Sequence, residues 1–129
     1  MTSEEMHTFL SEPMNAIVGT NRRGGGPQLT PVWFLWDGES FFFTTTKDRV
    51  KYSNLIRDPY ISLIVDDPQT RQYIVAYGRA EIIEQNAAQA IRQIIEKYVP
   101  KDQLGRWTPM ADAPGRVAVV LRPEKLLTS

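Results

Sequence analysis

The chain has 129 residues, 15 Lys plus Arg against 15 Asp plus Glu, a single histidine and no cysteine. That length predicts one domain over residues 1–129, with a real core but no room for separate cofactor and substrate domains, so a large ligand is pushed towards an interface. Balanced charge gives no field to attract nucleic acid or a membrane surface, the missing cysteines exclude disulfides, thiolate catalysis and Cys-based metal sites, and no apolar run approaches the ~20 residues of a membrane span.

The first residues, Met1-Thr2-Ser3-Glu4-Glu5, are acidic where a signal peptide is basic and then apolar, so a soluble, cytoplasmic protein is expected. Thr2 with Glu5 three residues on forms a capping-box pattern, and Met6, Phe9 and Leu10 share a helical face. A short helix is predicted, ending at Ser11-Glu12-Pro13. His7 lies off the apolar face and reads as a surface residue, with no metal site around it. Ala16–Thr20 is a short β-branched segment followed by the turn-formers of Asn21–Pro27. Arg22 and Arg23 beside three glycines look like a phosphate loop, but no Gly-Lys-Ser/Thr follows, and the stretch is read as a hairpin turn.

Gln28–Trp36 is predicted as one strand with both faces largely apolar, as in a barrel. Pro31 has no N–H, which requires an edge, a bulge or a place where the ladder opens to a ligand. Asp37-Gly38 makes a tight turn into Phe41–Thr46, because both residues tolerate positive φ.

Thr44–Pro59 runs from the hydroxyl-rich end of that strand into a short basic helix. It admits two readings. One is a solvated surface helix after an edge strand. The other is an anion site, in which the hydroxyls of Thr44, Thr45 and Thr46, the N–H groups of a helix start and the cations Arg49 and Lys51 converge on a phosphate.

Leu55–Asp58 ends that helix, since the residue before Pro59 is pushed out of the α region. Strands are predicted over Tyr60–Val65 and Tyr73–Ile83; the second carries small residues, Ala76, Gly78 and Ala80, on one face, where another strand, a helix or a second subunit can approach closely. Ala87, Ala90, Ile91, Ile94, Ile95 and Tyr98 fall at helical spacing and predict a helix with a core stripe, stopped by Val99-Pro100. A loop through Leu104, Trp107, Met110 and Pro114 then leads to a last strand, Val117–Leu121, ended at Arg122-Pro123. About six strands in a mostly meandering order, with one substantial late helix, imply a mainly β (α+β) fold: a six-stranded antiparallel barrel with peripheral helices.

Gln28-Leu29-Thr30-Pro31-Val32-Trp33-Phe34, the Asp37-Gly38 turn, Arg49-Val50-Lys51-Tyr52-Ser53-Asn54-Leu55-Ile56-Arg57-Asp58-Pro59 and Gly78-Arg79-Ala80, in this order, resemble the pyridoxamine 5′-phosphate oxidase-like split β-barrel family over nearly the whole chain. The short chain and the Arg-x-Lys-x-x-Asn-Leu-x-Arg-Asp-Pro pattern look closest to its branch that uses the deazaflavin coenzyme F420; other branches bind FMN. The resemblance implies a homodimer with cofactor grooves at the subunit interface. By position it assigns Arg49 and Lys51 to the cofactor phosphate, Val50 to the same segment, and Thr44, Thr45 and Thr46 to hydroxyl and backbone contacts. Asn54 would brace the helix or touch the cofactor tail. Gln28, Thr30, Pro31, Val32 and Trp33 would line the ring system, and Tyr73 and Tyr77 would reach across from the other subunit.

The cofactor would carry the chemistry, with reduced F420 delivering hydride to a small hydrophobic substrate held against the ring by Trp33, Phe34 and Trp107. No protein nucleophile is assigned, since no Ser-His-Asp set, cysteine or paired carboxylates support hydrolysis. The true pyridoxamine phosphate oxidases are longer and carry an Arg/His-containing substrate motif near the C-terminus, which is missing here, so that substrate is not expected. The alternatives are an FMN-dependent oxidoreductase on the same frame, and a non-catalytic protein that sequesters a cofactor or haem-derived ligand.

Overall fold

The fold is decided by a two-residue gap. In the computed structural model, which describes Met1 to Ser129, seven strands form one sheet in the order β2-β1-β5-β6-β7-β4-β3. The strands are β1 (Ala16–Thr20), β2 (Gln28–Val32), β3 (Leu35–Trp36), β4 (Phe41–Thr46), β5 (Tyr60–Asp67), β6 (Gln72–Ile83) and β7 (Arg116–Thr128). Every neighbouring pair is antiparallel. β2 and β3 are the two opposite edges, yet only Trp33 and Phe34 separate them. Extended chain reaches ~3.3–3.6 Å per residue, so the edges must stand within about 10 Å of each other. The sheet therefore curls into a mainly β split barrel, with the split at Trp33–Phe34.

Two expectations are corrected here. The strand predicted over Gln28–Trp36 is interrupted, which makes seven strands rather than six. The last strand does not stop at Arg122-Pro123 but continues to Thr128, because a bulge absorbs the proline: Tyr77 pairs with Lys125 while Gly78 pairs with Pro123. Pro31 sits on the edge strand β2, as its missing N–H demands. Asp37 Oδ1 accepts from the N–H groups of Glu39 and Ser40, and Gly38 takes φ +101°, closing the β3–β4 hairpin.

Alternation along β4 sends Phe41, Phe43 and Thr45 into the barrel and leaves Phe42, Thr44 and Thr46 on its outer side. Phe41 and Phe43 join Phe34, Leu63, Ile74 and Leu121 in the main core. Helix α1 (Ser3–Leu10), with the expected Thr2/Glu5 capping box, adds Phe9 and Leu10 to it, and α2 (Val50–Arg57) adds Leu55. A second cluster forms where α3 (Ala87–Tyr98) lies on the outer face of β7, joining Ile91 and Ile95 to Ala118. The segment expected as a plain loop after α3 folds into a 3₁₀ turn (Lys101–Gln103), a short helix α4 (Leu104–Trp107) and a second 3₁₀ turn (Thr108–Asp112). No helix is long and apolar enough to cross a membrane, and no three His, Asp or Glu side chains group to hold a metal ion.

Candidate functional site

Between the outer face of β4, the end of β2, the start of α2 and the α3–α4 region lies a cavity of about 450 Å³. Its lining divides chemically. One end carries Arg49, Lys51 and Arg116 with Thr44, Thr45 and Thr46; the other is apolar, with Trp33, Trp107, Met110, Ile91 and Ile94. Thr30, Pro31 and Val32 of the edge strand, and Asn15, complete the wall.

The cationic end is assembled from two places. Arg49 caps α2 through its backbone, and no side chain bonds to the N-terminal amides of that helix, which leaves its first turn open to an anion. Arg116 begins β7 and pairs with Thr46 across the β4–β7 ladder, which brings it to the same cavity. No Asp or Glu lines the cavity. Burial disfavours the protonated form of Lys51, and the positive charges of Arg49 and Arg116 lower its pKa further. Arg116 is pushed down in the same way by burial and then by Arg49, with Asp48 opposing. Three cations thus crowd one end of a cavity whose wall carries no carboxylate, with Asp48 just outside it offsetting part of their charge. Two buried polar atoms of the lining, Thr45 Oγ1 and Arg116 Nε, have no hydrogen-bond partner in the chain. Buried donors are rarely left unpaired, so Arg116 Nε, on the cavity side of the β4–β7 ladder, marks a place where a ligand's acceptor or ordered water fits, whereas Thr45 Oγ1 lies on the inward face of β4.

The other two threonine hydroxyls are already engaged. Thr44 Oγ1 donates to Val117 O at 2.8 Å, and Thr46 Oγ1 donates to the Asp48 carboxylate, which holds Asp48 below the usual carboxylate range. At the apolar end Trp33 is the central ring: it stacks on Tyr98 at 4.9 Å between centroids and 4° between planes, and meets Trp107 at 5.2 Å with a 40° tilt.

Nine of the fourteen residues assigned from sequence line this cavity: Thr30, Pro31, Val32, Trp33, Thr44, Thr45, Thr46, Arg49 and Lys51. Gln28, Val50, Asn54, Tyr73 and Tyr77 do not. Gln28 accepts a bond from Thr20 Oγ1, and Val50 points to solvent, 56% exposed. Asn54 is buried and donates to Thr20 Oγ1 at 3.1 Å, tying α2 to β1, which is the bracing role. Tyr73 and Tyr77 stand exposed on the outward face of β6. Phe34, expected against a substrate, is fully buried in the core and is not part of the wall.

Sequence reasoning missed Arg116, Asn15 and Met110, and read Ile91 and Ile94 only as core. A lone cation between Gly115 and an apolar run was the one visible signal for Arg116; its register opposite Thr46 was not legible. Lys47 is paired with Glu84, and Arg22 folds back on its own loop to donate to Gly26 O, so neither stands in the cavity lining.

The family profile described as pyridoxamine 5′-phosphate oxidase matches residues 2–129, and the chain belongs to that family. Among solved structures it is similar to the conserved hypothetical protein Rv2991 of Mycobacterium tuberculosis, at 27% identity and a TM-score of 0.83 over 99% of this chain and 84% of that one. It is also similar to an F420 reductase, at 27% identity and a TM-score of 0.74 over 94% of each chain. General stress protein 26 of Bacillus anthracis shares the fold at 17% identity and a TM-score of 0.75, over 98% of this chain and 92% of that one.

Proposed function

We propose that this protein is an F420-dependent oxidoreductase of the cytoplasm, acting as a reductase that transfers hydride between the deazaflavin coenzyme and a small organic substrate. One observation carries the reading: a single cavity with no carboxylate in its lining joins three cations to a wall of aromatic rings. That combination suits a ligand with a planar ring at one end and an anionic group at the other. The similarity to an F420 reductase over 94% of both chains supports the choice of coenzyme.

When bound, the deazaflavin supplies the hydride chemistry, and no catalytic residue of the protein is assigned. Arg49, Lys51 and Arg116 hold the phosphate, with the open N–H groups of α2 completing its shell. Val32, Trp33 and the edge-strand backbone beside Pro31 line the ring. Trp107 and Met110 keep the apolar end dry, where a hydrophobic substrate stacks. The functional unit is a homodimer: Leu29, Tyr73, Tyr77 and Leu127 are exposed apolar side chains on the strands, and Tyr73 and Tyr77 of the partner subunit would close the groove.

FMN is the alternative coenzyme, since the three cations crowd one end of the cavity and suit a single terminal phosphate. Absorption spectra of the purified protein and side-by-side equilibrium titration with F420 and FMN decide between them. Tight binding without consumption of reduced coenzyme, across a panel of electron-poor acceptors, would make it a binding protein; binding of neither coenzyme would overturn the reading.

A further inference from the structure

The split of the barrel is not left open. Phe34, between the two edge strands, has no strand partner, yet both of its backbone groups are bonded: its N–H donates to Tyr98 Oη at 3.1 Å, and its carbonyl accepts from Lys97 Nζ at 3.0 Å. The same two side chains reach the segment before β1, where Tyr98 Oη donates to Met14 O at 2.6 Å and Lys97 Nζ donates to Leu10 O at 2.7 Å. Lys97 also sits 3.8 Å from the centroid of the Phe34 ring. The last turn of α3 therefore does the hydrogen bonding that a neighbouring strand does elsewhere in the sheet. Trp33, the preceding residue, lies flat on the Tyr98 ring and forms the cavity wall, while Ile91 and Ile94 of the same helix line that cavity. One helix thus both lines the cavity and fixes the orientation of its aromatic wall.

We propose that Lys97 and Tyr98 are positioning residues that lock Trp33 as a rigid flat wall, so that the cavity is pre-formed for a planar aromatic ring. Neither residue lines the cavity; they act through Trp33 and the Phe34 backbone. Pre-organisation of this kind raises affinity by removing the ordering cost of binding. The proposal rests on the coenzyme reading only for the ring used as probe.

Tyr98→Phe keeps the stacked ring and removes both hydroxyl bonds; Lys97→Met keeps the stem and removes both ammonium bonds. Each is titrated with FMN, riboflavin, F420 and its phosphate-free deazaflavin core. Near-ultraviolet circular dichroism and acrylamide quenching are followed in parallel, with a Trp33→Phe variant to identify the Trp33 contribution. The expected result is cooperative unfolding, a reduced Trp33 dichroic band, and affinity weakened by roughly tenfold, the equivalent of one net hydrogen bond, for phosphorylated and phosphate-free rings alike. Lys51→Ala provides the contrast, weakening only the phosphorylated ligands. Unchanged Trp33 dichroism and quenching in both variants would overturn the proposal, as would unaltered ring affinity. If the parent binds no ring, the coenzyme reading fails, and the Trp33 spectra still decide the clamp. If Tyr98→Phe does not fold, Lys97→Met carries the same comparison.

Discussion

Arg116 stands opposite Thr46 in the β4–β7 ladder, and that single register brings a cation from the far end of the sequence into the cavity that Arg49 and Lys51 enter from α2. The three charges come from two elements whose relative position only the closed sheet defines.

Replacing either half-buried member of this group should weaken binding through the ligand's anionic end. Lys51→Ala and Arg116→Gln are each expected to cost about 1.5–3 kcal/mol of affinity for the phosphorylated coenzyme, the range for a charged hydrogen-bond partner, and to leave riboflavin binding unchanged. Fluorescence titration of both ligands measures this. Equal losses for both would move the phosphate elsewhere.

Stability should rise and then fall as the solution becomes alkaline. Burial lowers the Lys97 pKa from 10.5 to about 8, against the small opposing pull of Glu12, so the folded state sheds a proton that the unfolded chain keeps, and stability grows from about pH 8 towards 10.5. Lys51, also depressed, acts in the same direction. Tyr98 is the reverse case: burial raises its pKa from 10.0 to about 12, so stability is lost as pH climbs through that interval. Chemical denaturation across pH 7–12 should show a maximum near pH 10. Lys97→Met should flatten the rising limb and Tyr98→Phe the falling one.

Gly78→Ala should destabilise the protein although φ at this position is not positive. A Cβ there would lie 2.9 Å from Leu121 Cδ1, 3.0 Å from Arg122 O and 3.2 Å from Glu124 N. Two of those are backbone atoms at the β7 bulge and cannot move aside cheaply. A loss of about 1–3 kcal/mol is expected, as for overpacking, read as a shift in denaturation midpoint at constant slope.

Phe43→Ala should cost about 3–5 kcal/mol, since the ring is fully buried in the barrel. Phe42, its half-buried neighbour on the outer face, should tolerate truncation better in the same denaturation assay.

Local signals were sufficient wherever one element settles its own fate. The Thr2/Glu5 capping box, the Asp37-Gly38 turn, the α3 stripe and the stop before Pro59 were all legible, because each depends on contacts a few residues apart. The anionic preference of Thr44–Lys51 was legible as one of two readings, from hydroxyls and cations next to a helix start. Three things were not. The break at Trp33–Phe34 is invisible in an apolar run, since it exists only because α3 supplies hydrogen bonds from more than sixty residues away. The continuation of β7 through Pro123 depends on a bulge whose partner is Gly78. Arg116 and the two α3 isoleucines enter the cavity by register and packing. Sequence by itself determined the elements that local caps, turns and stripes define, and that a phosphate-friendly segment follows β4. Tertiary structure alone decided what faces it, because sheet closure sets those distances between residues that the chain keeps far apart.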